Sequence, residues 1–352
     1  MVSKVIHIQG RKDFSASGMH SLNNSNFKQD VHQAKVHLFV KDLDKFGGSK
    51  GVERILSESI HEHNKNKNYQ KALDLIQPLF DIVRDCPLQS DESIKYVSIS
   101  RRFEWDIYQH YYPTSPNQKL KNIDFICPIN FILRQYALAA LELGDTSTAL
   151  STISMGIKWN PVYASYGLMR AMAHSDEKEW DKLLEDLVFY MKYAYTTQDL
   201  INCFTFLRLY FIKQKMPEEA LYCSYMRADY TGDDSILGNI ADDTTTFLKM
   251  PNVDKNNLTR KIMTERFKKY SITLGFNPDI IAIAKSHYEE ACLAEDKKSA
   301  EYYSSILSGL QTRQERTNAY VRQQFIEHSR RHPNYALKIS NGDSDILQLF
   351  LS

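Results

Sequence analysis

The stretch that decides the fold runs from residue 130 to residue 163 and reads NFILRQYALAALELGDTSTALSTISMGIKWNPVY. Its first half has one apolar helical face, with the spacing i, i+3, i+4 and i+7, made by Leu133, Tyr136, Ala137 and Ala140. A second apolar face follows, made by Ala149, Ile153 and Gly156. Gly144 suits a left-handed turn between two helices, and Pro161 ends the second one. The stretch therefore predicts a pair of packed helices.

This unit resembles a tetratricopeptide repeat. It departs from the repeat at Tyr136, where Leu is usual, and at Ala140, where an aromatic residue is usual. The small residues of the unit would let the two helices approach closely, while the large ones would fill the grooves between them.

The unit recurs along the chain. With Ala149 as the anchor, the equivalent position returns at Leu183 and Ala220, at intervals of 34 and 37 residues, against 34 residues in the standard repeat. Less regular units lie around Ala72 and Ala300. We therefore expect an all-α fold, a tetratricopeptide-like helical-hairpin solenoid.

A wider resemblance rests on EWDIYQHYY (104–112), QYALAALELGDTSTAL (135–150), IKWNPVYA (157–164) and MKYAYTTQDLINCF (191–204). Together these segments are similar to a family of multi-repeat tetratricopeptide proteins of Firmicutes-type bacteria. The resemblance covers residues 54–310. It implies a scaffold that binds a protein or a peptide, with no catalytic residues and no cofactor.

The pattern divides the chain into three parts. Residues 1–50 are expected to be a mostly disordered tail and linker, in which the apolar segment from Ala34 to Leu43 could dock as a strand or a helix turn. Gly47, Gly48 and Gly51 are expected to form a flexible joint before the array. Residues 51–310 are expected to form the repeat array, with irregular insertions at 87–129 and 231–258. Residues 311–352 are expected to form a capping helix and a tail.

Composition narrows the class of protein. Only 13 of the 352 residues are Gly and 10 are Pro, which disfavours turn-rich sandwiches and barrels. With 44 basic and 43 acidic residues, the chain has no overall field for nucleic acid or an anionic membrane. No apolar run approaches the roughly 18 residues of a membrane span. The five scattered cysteines suggest reduced thiols and a cytoplasmic location.

No pattern of a catalytic or metal site is present. His61 and His63 are two residues apart, so on a helix they would not face each other, and solvated surface is the favoured interpretation over metal binding. No serine has the context of a nucleophile elbow. We therefore expect no enzymatic activity, no metal and no cofactor.

Aromatic residues leave two interpretations open. They either pack between helices or anchor a peptide in a groove. The set comprises Trp105, Tyr108, Tyr111, Tyr112, Trp159, Tyr163, Tyr166 and Trp180.

Polar residues on the first helices of the repeats are the candidate binding residues, because Arg and amide side chains can hold a peptide backbone or a carboxylate. The candidates are Arg134, Gln135, Arg170, Asn202, Thr205 and Arg208. In the register anchored at Ala149, Arg170 and Arg208 also fall on packing positions.

Two functions follow from these patterns. The first is a non-enzymatic scaffold that binds a protein or peptide through the concave surface of the array. The alternative is a peptide-responsive regulator, which would act through a protein partner because the N-terminus shows no helix-turn-helix pattern. A buried acid–base pair in a closed pocket would instead favour an enzyme.

Overall fold

The computed structural model describes residues 24–231, 253–254 and 257–312, and this part of the chain is mostly α-helical. Its elements, in chain order, are α1 (Asn24–Asp44), α2 (Gly48–Asn64), α3 (Tyr69–Arg84), β1 (Ile94–Val97), α4 (Arg102–Tyr111), β2 (Lys119–Asn122), α5 (Ile129–Glu142), α6 (Thr146–Trp159), α7 (Ala164–Asp176), α8 (Trp180–Tyr193), α9 (Thr197–Lys213), α10 (Pro217–Tyr230), α11 (Arg260–Lys268), α12 (Pro278–Leu293) and α13 (Lys297–Gly309). None of the helices described is long and apolar enough to span a bilayer.

Ten of these helices form five hairpins: α2–α3, α5–α6, α7–α8, α9–α10 and α12–α13. Each hairpin turn contains one residue with positive φ, directly before the N-cap of the second helix. Gly144 has this role in α5–α6, as the sequence predicts, with φ 77°. In the other four turns the residue is not glycine. These residues are Lys67, Lys178, Lys215 and Glu295.

Four of the five hairpin turns share a hydrogen-bond pattern. In α5–α6, the Asp145 N–H donates to the Ala140 carbonyl and the Gly144 N–H donates to the Leu141 carbonyl, both at 2.9 Å. The turns after α7, α9 and α12 have the same two bonds. This is the Schellman arrangement, which satisfies the last carbonyl groups of the first helix. The chain therefore builds equivalent turns at equivalent positions.

The anchor positions follow from these turns. Ala149, Leu183 and Ala220 each lie five residues after the left-handed residue of their hairpin, and all three are fully buried. Ala72 has the same place in α2–α3 and is also fully buried. The spacing predicted from the sequence thus matches the spacing of the turns.

Successive hairpins pack on one another. The second helix of one hairpin contacts the first helix of the next in the pairs α3–α5, α6–α7 and α8–α9. The first helices also contact each other, α2 with α5, α5 with α7, and α7 with α9. These contacts place α5, α7 and α9 side by side.

Burial favours the core interpretation for the aromatic set. Tyr108, Tyr163 and Tyr166 are buried. The rest of the set is partly buried and packs against the two largest core clusters. Cys203 and Cys223 are fully buried free thiols in the same core.

The N-terminal region differs from the expected tail and linker. Residues 24–44 form α1, which packs on α2 and α3 and buries Phe39 and Leu43. Gly47 ends the tight turn between α1 and α2, and Gly48 and Gly51 lie in the first turn of α2. A β-carbon on Gly51 would lie 1.6 Å from the Phe46 carbonyl oxygen. The apolar side chains of α1 explain the difference, because they gain burial against the first hairpin. Residues 1–23 lie outside the described part.

The insertion at 87–129 contains the two strands, which an all-α fold does not include. β1 and β2 pair in parallel from Ile94 with Lys119 to Val97 with Asn122. At the end of β2, the Asn122 carboxamide accepts a hydrogen bond from the Ile99 N–H at 3.1 Å and donates one to the Ile99 carbonyl at 2.7 Å. The backbone groups of this segment are therefore satisfied by pairing across a long connection rather than within a helix. Most of the expected insertion at 231–258, and residues 313–352, lie outside the described part.

Candidate binding surface

The left-handed turn residues give a common register for α5, α7 and α9. Residues 13, 10, 6 and 3 positions before the turn residue lie on one face of each helix, since this spacing follows the helical period. All of them are partly or fully exposed, whereas the positions between them are mostly buried. We call these twelve residues the first-helix surface. They are Phe131, Arg134, Leu138 and Leu141 on α5, Ser165, Leu168, Met172 and Ser175 on α7, and Asn202, Thr205, Leu209 and Ile212 on α9.

Three of the six residues predicted for binding belong to this surface: Arg134, Asn202 and Thr205. Asn202 is partly buried and accepts a hydrogen bond from Gln198 at 2.9 Å. The Thr205 hydroxyl donates to the Ile201 carbonyl of its own helix at 2.7 Å. Arg134 is partly buried, and its positive charge acts to lower the pKa of the nearby His63 and Tyr163.

Gln135 does not belong to the surface, which corrects the sequence-based prediction. Only 2% of the residue is exposed. Its amide nitrogen donates to the carbonyl oxygen of Ser59, at 3.3 Å, and to the Ser59 hydroxyl, at 3.2 Å. Ser59 in turn donates to the Ala72 carbonyl at 2.7 Å. Gln135 therefore joins α5 to the hairpin before it.

Arg170 is also corrected. It lies eight residues before Lys178, the position that Tyr136 and Leu207 occupy in the neighbouring hairpins, and both of those residues are in the core. Its guanidinium lies 2.6 Å from the carboxylate of Asp186 on α8. The arginine thus pairs with a buried acid between the two helices of its own hairpin.

Arg208 lies seven residues before Lys215. The equivalent residues of α5 and α7 are Ala137 and Ala171, both fully buried. The partly buried Arg208 side chain therefore starts from a helix–helix contact position and not from the first-helix surface. This agrees with the packing position that the sequence register indicates, and a binding role for the partly exposed Arg208 side chain stays a prediction.

Asp186 on α8, the partner of Arg170, is a buried carboxyl. Its side chain is 1% exposed, and His174 Nε2 lies 3.5 Å from it. Burial raises the pKa of this carboxyl to about 7, although the Arg170 charge acts in the opposite direction. His174 also contacts Glu179 at 2.7 Å. Arg170 and His174 on α7 and Asp186 on α8 therefore form a polar contact inside the α7–α8 hairpin.

Glu104 on α4 is the second buried carboxyl of this kind. Burial raises its pKa to about 7. It accepts hydrogen bonds from the Tyr195 hydroxyl at 3.1 Å and from the Asn160 amide at 3.4 Å, and Arg101 lies 3.8 Å away. Tyr195 and Asn160 follow the ends of α8 and α6. Glu104 therefore holds α4 against the links between hairpins.

His63 is buried, which corrects the prediction that it lies on a solvated surface; His61 is exposed. The His63 ring packs edge-on against Tyr69, with centroids 5.0 Å apart, and burial lowers its pKa. In the described ranges no three His, Cys, Asp or Glu side chains are grouped so that they could hold a metal ion.

No protein-family model matches the chain. No curated protein matches it either. The fold defines it as a mostly helical protein built from helical hairpins.

The apolar members of the surface are the residues that sequence reasoning missed. Leu138, Leu168, Met172 and Leu209 were hidden among the many apolar residues of the same helices. The left-handed turn position is the signal that separates them from the core. In the sequence that position is marked by glycine in α5–α6, but by lysine in α7–α8 and α9–α10.

Proposed function

We propose that this protein is a tetratricopeptide-like solenoid that acts as a non-enzymatic scaffold, binding a protein or peptide on the first-helix surface. The observation that carries the proposal is the partly exposed apolar face that α5, α7 and α9 share. Because α7 contacts both α5 and α9, the three faces adjoin. A contiguous exposed apolar area is typical of an interaction site.

The chemistry of the surface defines the ligand. Seven of its twelve residues are apolar: Phe131, Leu138, Leu141, Leu168, Met172, Leu209 and Ile212. Aromatic, Met and Arg side chains are common where proteins bind one another. Arg134 on α5 and Asn202 on α9 add polar groups at opposite sides of the surface. A peptide with several apolar side chains and a carboxylate or free backbone groups complements this arrangement.

The buried carboxyls do not favour an enzyme as the alternative. Glu104 and Asp186 have raised pKa values, as catalytic acids often do. Their polar contacts, however, are with side chains that join helices of the protein. This supports a structural role for both groups.

A cytoplasmic location is part of the proposal. Cys203 and Cys223 are unpaired on adjacent helices, α9 and α10. Burial holds the pKa of both thiols well above the ordinary value, so both remain protonated and unreactive. Free thiols of this kind suit a reducing compartment.

Selection from a phage-displayed library of random 12-residue peptides tests the binding function. The purified full-length chain is the bait, and enriched peptides are then measured by fluorescence anisotropy. We expect apolar peptides with an acidic residue to be enriched. Ile212→Glu should weaken their binding at least tenfold, because it places a charge on an exposed member of the surface.

Leu293→Glu is the matched control, since Leu293 is an exposed leucine at the end of α12, away from the first-helix surface. It should leave the affinity unchanged. Enriched peptides that bind the Ile212→Glu chain as tightly as the unmodified chain would place the binding site elsewhere. Failure to enrich any peptide would count against the scaffold function.

A further inference from the structure

Helix α4 joins parts of the chain that are far apart in sequence. It packs against α12, and its residues bond to side chains of α13. Arg102 donates to the Ser299 hydroxyl at 3.0 Å, and the Phe103 N–H is bonded to the Tyr302 hydroxyl at 3.1 Å. The last described hairpin, α12–α13, is therefore attached to the insertion between the first two hairpins. We call this contact between α4 and α12–α13 the clasp.

A buried carboxyl lies at the centre of the clasp. Asp106 on α4 is buried, and it accepts a hydrogen bond of 2.7 Å from the Tyr303 hydroxyl on α13. On α12, His287 Nε2 lies 3.9 Å from the other carboxylate oxygen. The His287 ring also stacks on the Tyr303 ring, with centroids 5.2 Å apart. Asp106 thus touches both helices of the hairpin.

Charged and titratable groups face Asp106 from each helix of the clasp. Arg102 is on its own helix, His287 and Glu290 are on α12, and Tyr302 and Tyr303 are on α13. Glu290 repels the ionised carboxylate, while Arg102 and His287 attract it. Burial outweighs the attractive contacts and raises the pKa of Asp106 above the ordinary value.

We propose that the clasp is a pH-sensitive device, in which ionisation of Asp106 as the pH rises loosens the α12–α13 hairpin from α4. The physical cause is the cost of a carboxylate charge in a buried contact. A carboxyl that binds its proton more tightly in the docked hairpin than in the released hairpin stabilises docking at low pH. This stabilisation is lost as the pH rises and the carboxyl ionises.

Hydrogen exchange measured by mass spectrometry on the full chain tests the clasp. Exchange is recorded at pH 4 and pH 8 and corrected for intrinsic rates, with α5–α6 as the internal reference. We expect the protection of α12–α13 relative to α5–α6 to fall as the pH rises, because the docked hairpin binds the Asp106 proton more tightly than the released hairpin does. Asp106→Asn keeps the acceptor for Tyr303 but cannot ionise, so this fall should shrink to about twofold or less. An equal fall in Asp106→Asn would overturn the proposal.

Two further variants keep the test decisive. Glu290→Gln changes an exposed side chain and removes the repulsion, so the pH dependence should become shallower even if Asp106→Asn does not fold. Asp186→Asn, at the buried carboxyl of α7–α8, should leave the α12–α13 exchange unchanged at both pH values. If Glu290→Gln has no effect, or if Asp186→Asn abolishes the pH dependence, Asp106 is not the sensor.

Discussion

The phenol ring of Tyr166 occupies the space that a side chain at Gly156 would need. A β-carbon at residue 156 would lie 2.2 Å from Tyr166 Cζ and 2.4 Å from its hydroxyl oxygen. The same hydroxyl donates to the Asn130 carbonyl at 3.1 Å. Tyr166 on α7 therefore passes over α6 to reach α5, and it can do so only because residue 156 has no side chain.

Gly156→Ala should destabilise the protein by about 1–3 kcal/mol, the usual cost of adding a carbon to a closely packed contact. Chemical denaturation monitored by circular dichroism measures the change. Gly309→Ala is the matched control, because a β-carbon there meets nothing within 4 Å. Since alanine favours helix over glycine, the control should be neutral or slightly stabilising. Equal effects of the two substitutions would show that Tyr166 moves aside at no cost.

Lys178 and Lys215 are left-handed lysines at the hairpin turns, with φ 60° and 59°. Left-handed backbone is unfavourable for residues with a β-carbon and free of that strain for glycine. Lys178→Gly and Lys215→Gly should therefore each stabilise the protein by about 0.5–1 kcal/mol, after the larger entropy of glycine in the unfolded chain is subtracted. Urea denaturation gives the free energy of unfolding.

The control for these turns is Glu185→Gly, at an exposed position in the interior of α8. It should destabilise the protein by about 1 kcal/mol, the ordinary cost of glycine within a helix. If the turn variants lose as much stability as this control, the left-handed backbone at Lys178 and Lys215 is not strained.

Glu104 should make the free energy of unfolding depend on pH. Its pKa is raised to about 7 in the folded protein, so the folded state holds the proton more tightly than the unfolded state. Stability is therefore highest below about pH 4.5 for this group and falls as pH rises to about 7, by about 3 kcal/mol in total. Asp91 does not add to this change, because its pKa is lowered, mainly by the Ser93 hydroxyl, and it stays ionised over this range.

Urea denaturation at pH 5 and pH 8 checks the Glu104 prediction. In Glu104→Gln the loss of stability between the two pH values should be smaller than in the unmodified chain by up to about 3 kcal/mol. Glu301→Gln, at an exposed residue of α13, should retain the full loss. An unchanged loss in Glu104→Gln would mean that this carboxyl is already ionised at pH 5.

Gln135 and Arg134 are sequence neighbours with different expected roles. Gln135→Ala removes the bonds to Ser59 and should cost about 1–3 kcal/mol of stability, because it leaves buried polar groups without a partner. Arg134→Ala should change stability by less than about 0.5 kcal/mol and instead weaken binding of acidic peptides. Thermal denaturation and peptide titration on the same two variants separate these effects. Reversed effects would mean that the amide, and not the guanidinium, meets the ligand.

Local sequence accounts for most of the helical architecture. The apolar periodicity between Leu133 and Gly156, the turn at Gly144 and the stop at Pro161 all correspond to structural features at those positions. These signals depend on contacts between residues that are close in sequence, so they can be recognised without the rest of the chain.

Other features depend on partners that are distant in sequence. Nothing near Lys178 or Lys215 marks them as left-handed, since the hairpin geometry imposes that conformation on lysine. The strand β1 pairs with β2 more than twenty residues later. Asp106 meets Tyr303 across almost two hundred residues. No local pattern contains these pairings.

The candidate surface divides in the same way. The first helices of the hairpins and their polar residues follow from periodicity in the sequence. The tertiary fold then places Arg134 on the first-helix surface, Gln135 against Ser59, and Arg170 against Asp186. The physical reason is that a helix fixes only the angle between its own side chains, whereas burial and pairing depend on which neighbouring helix packs against each face.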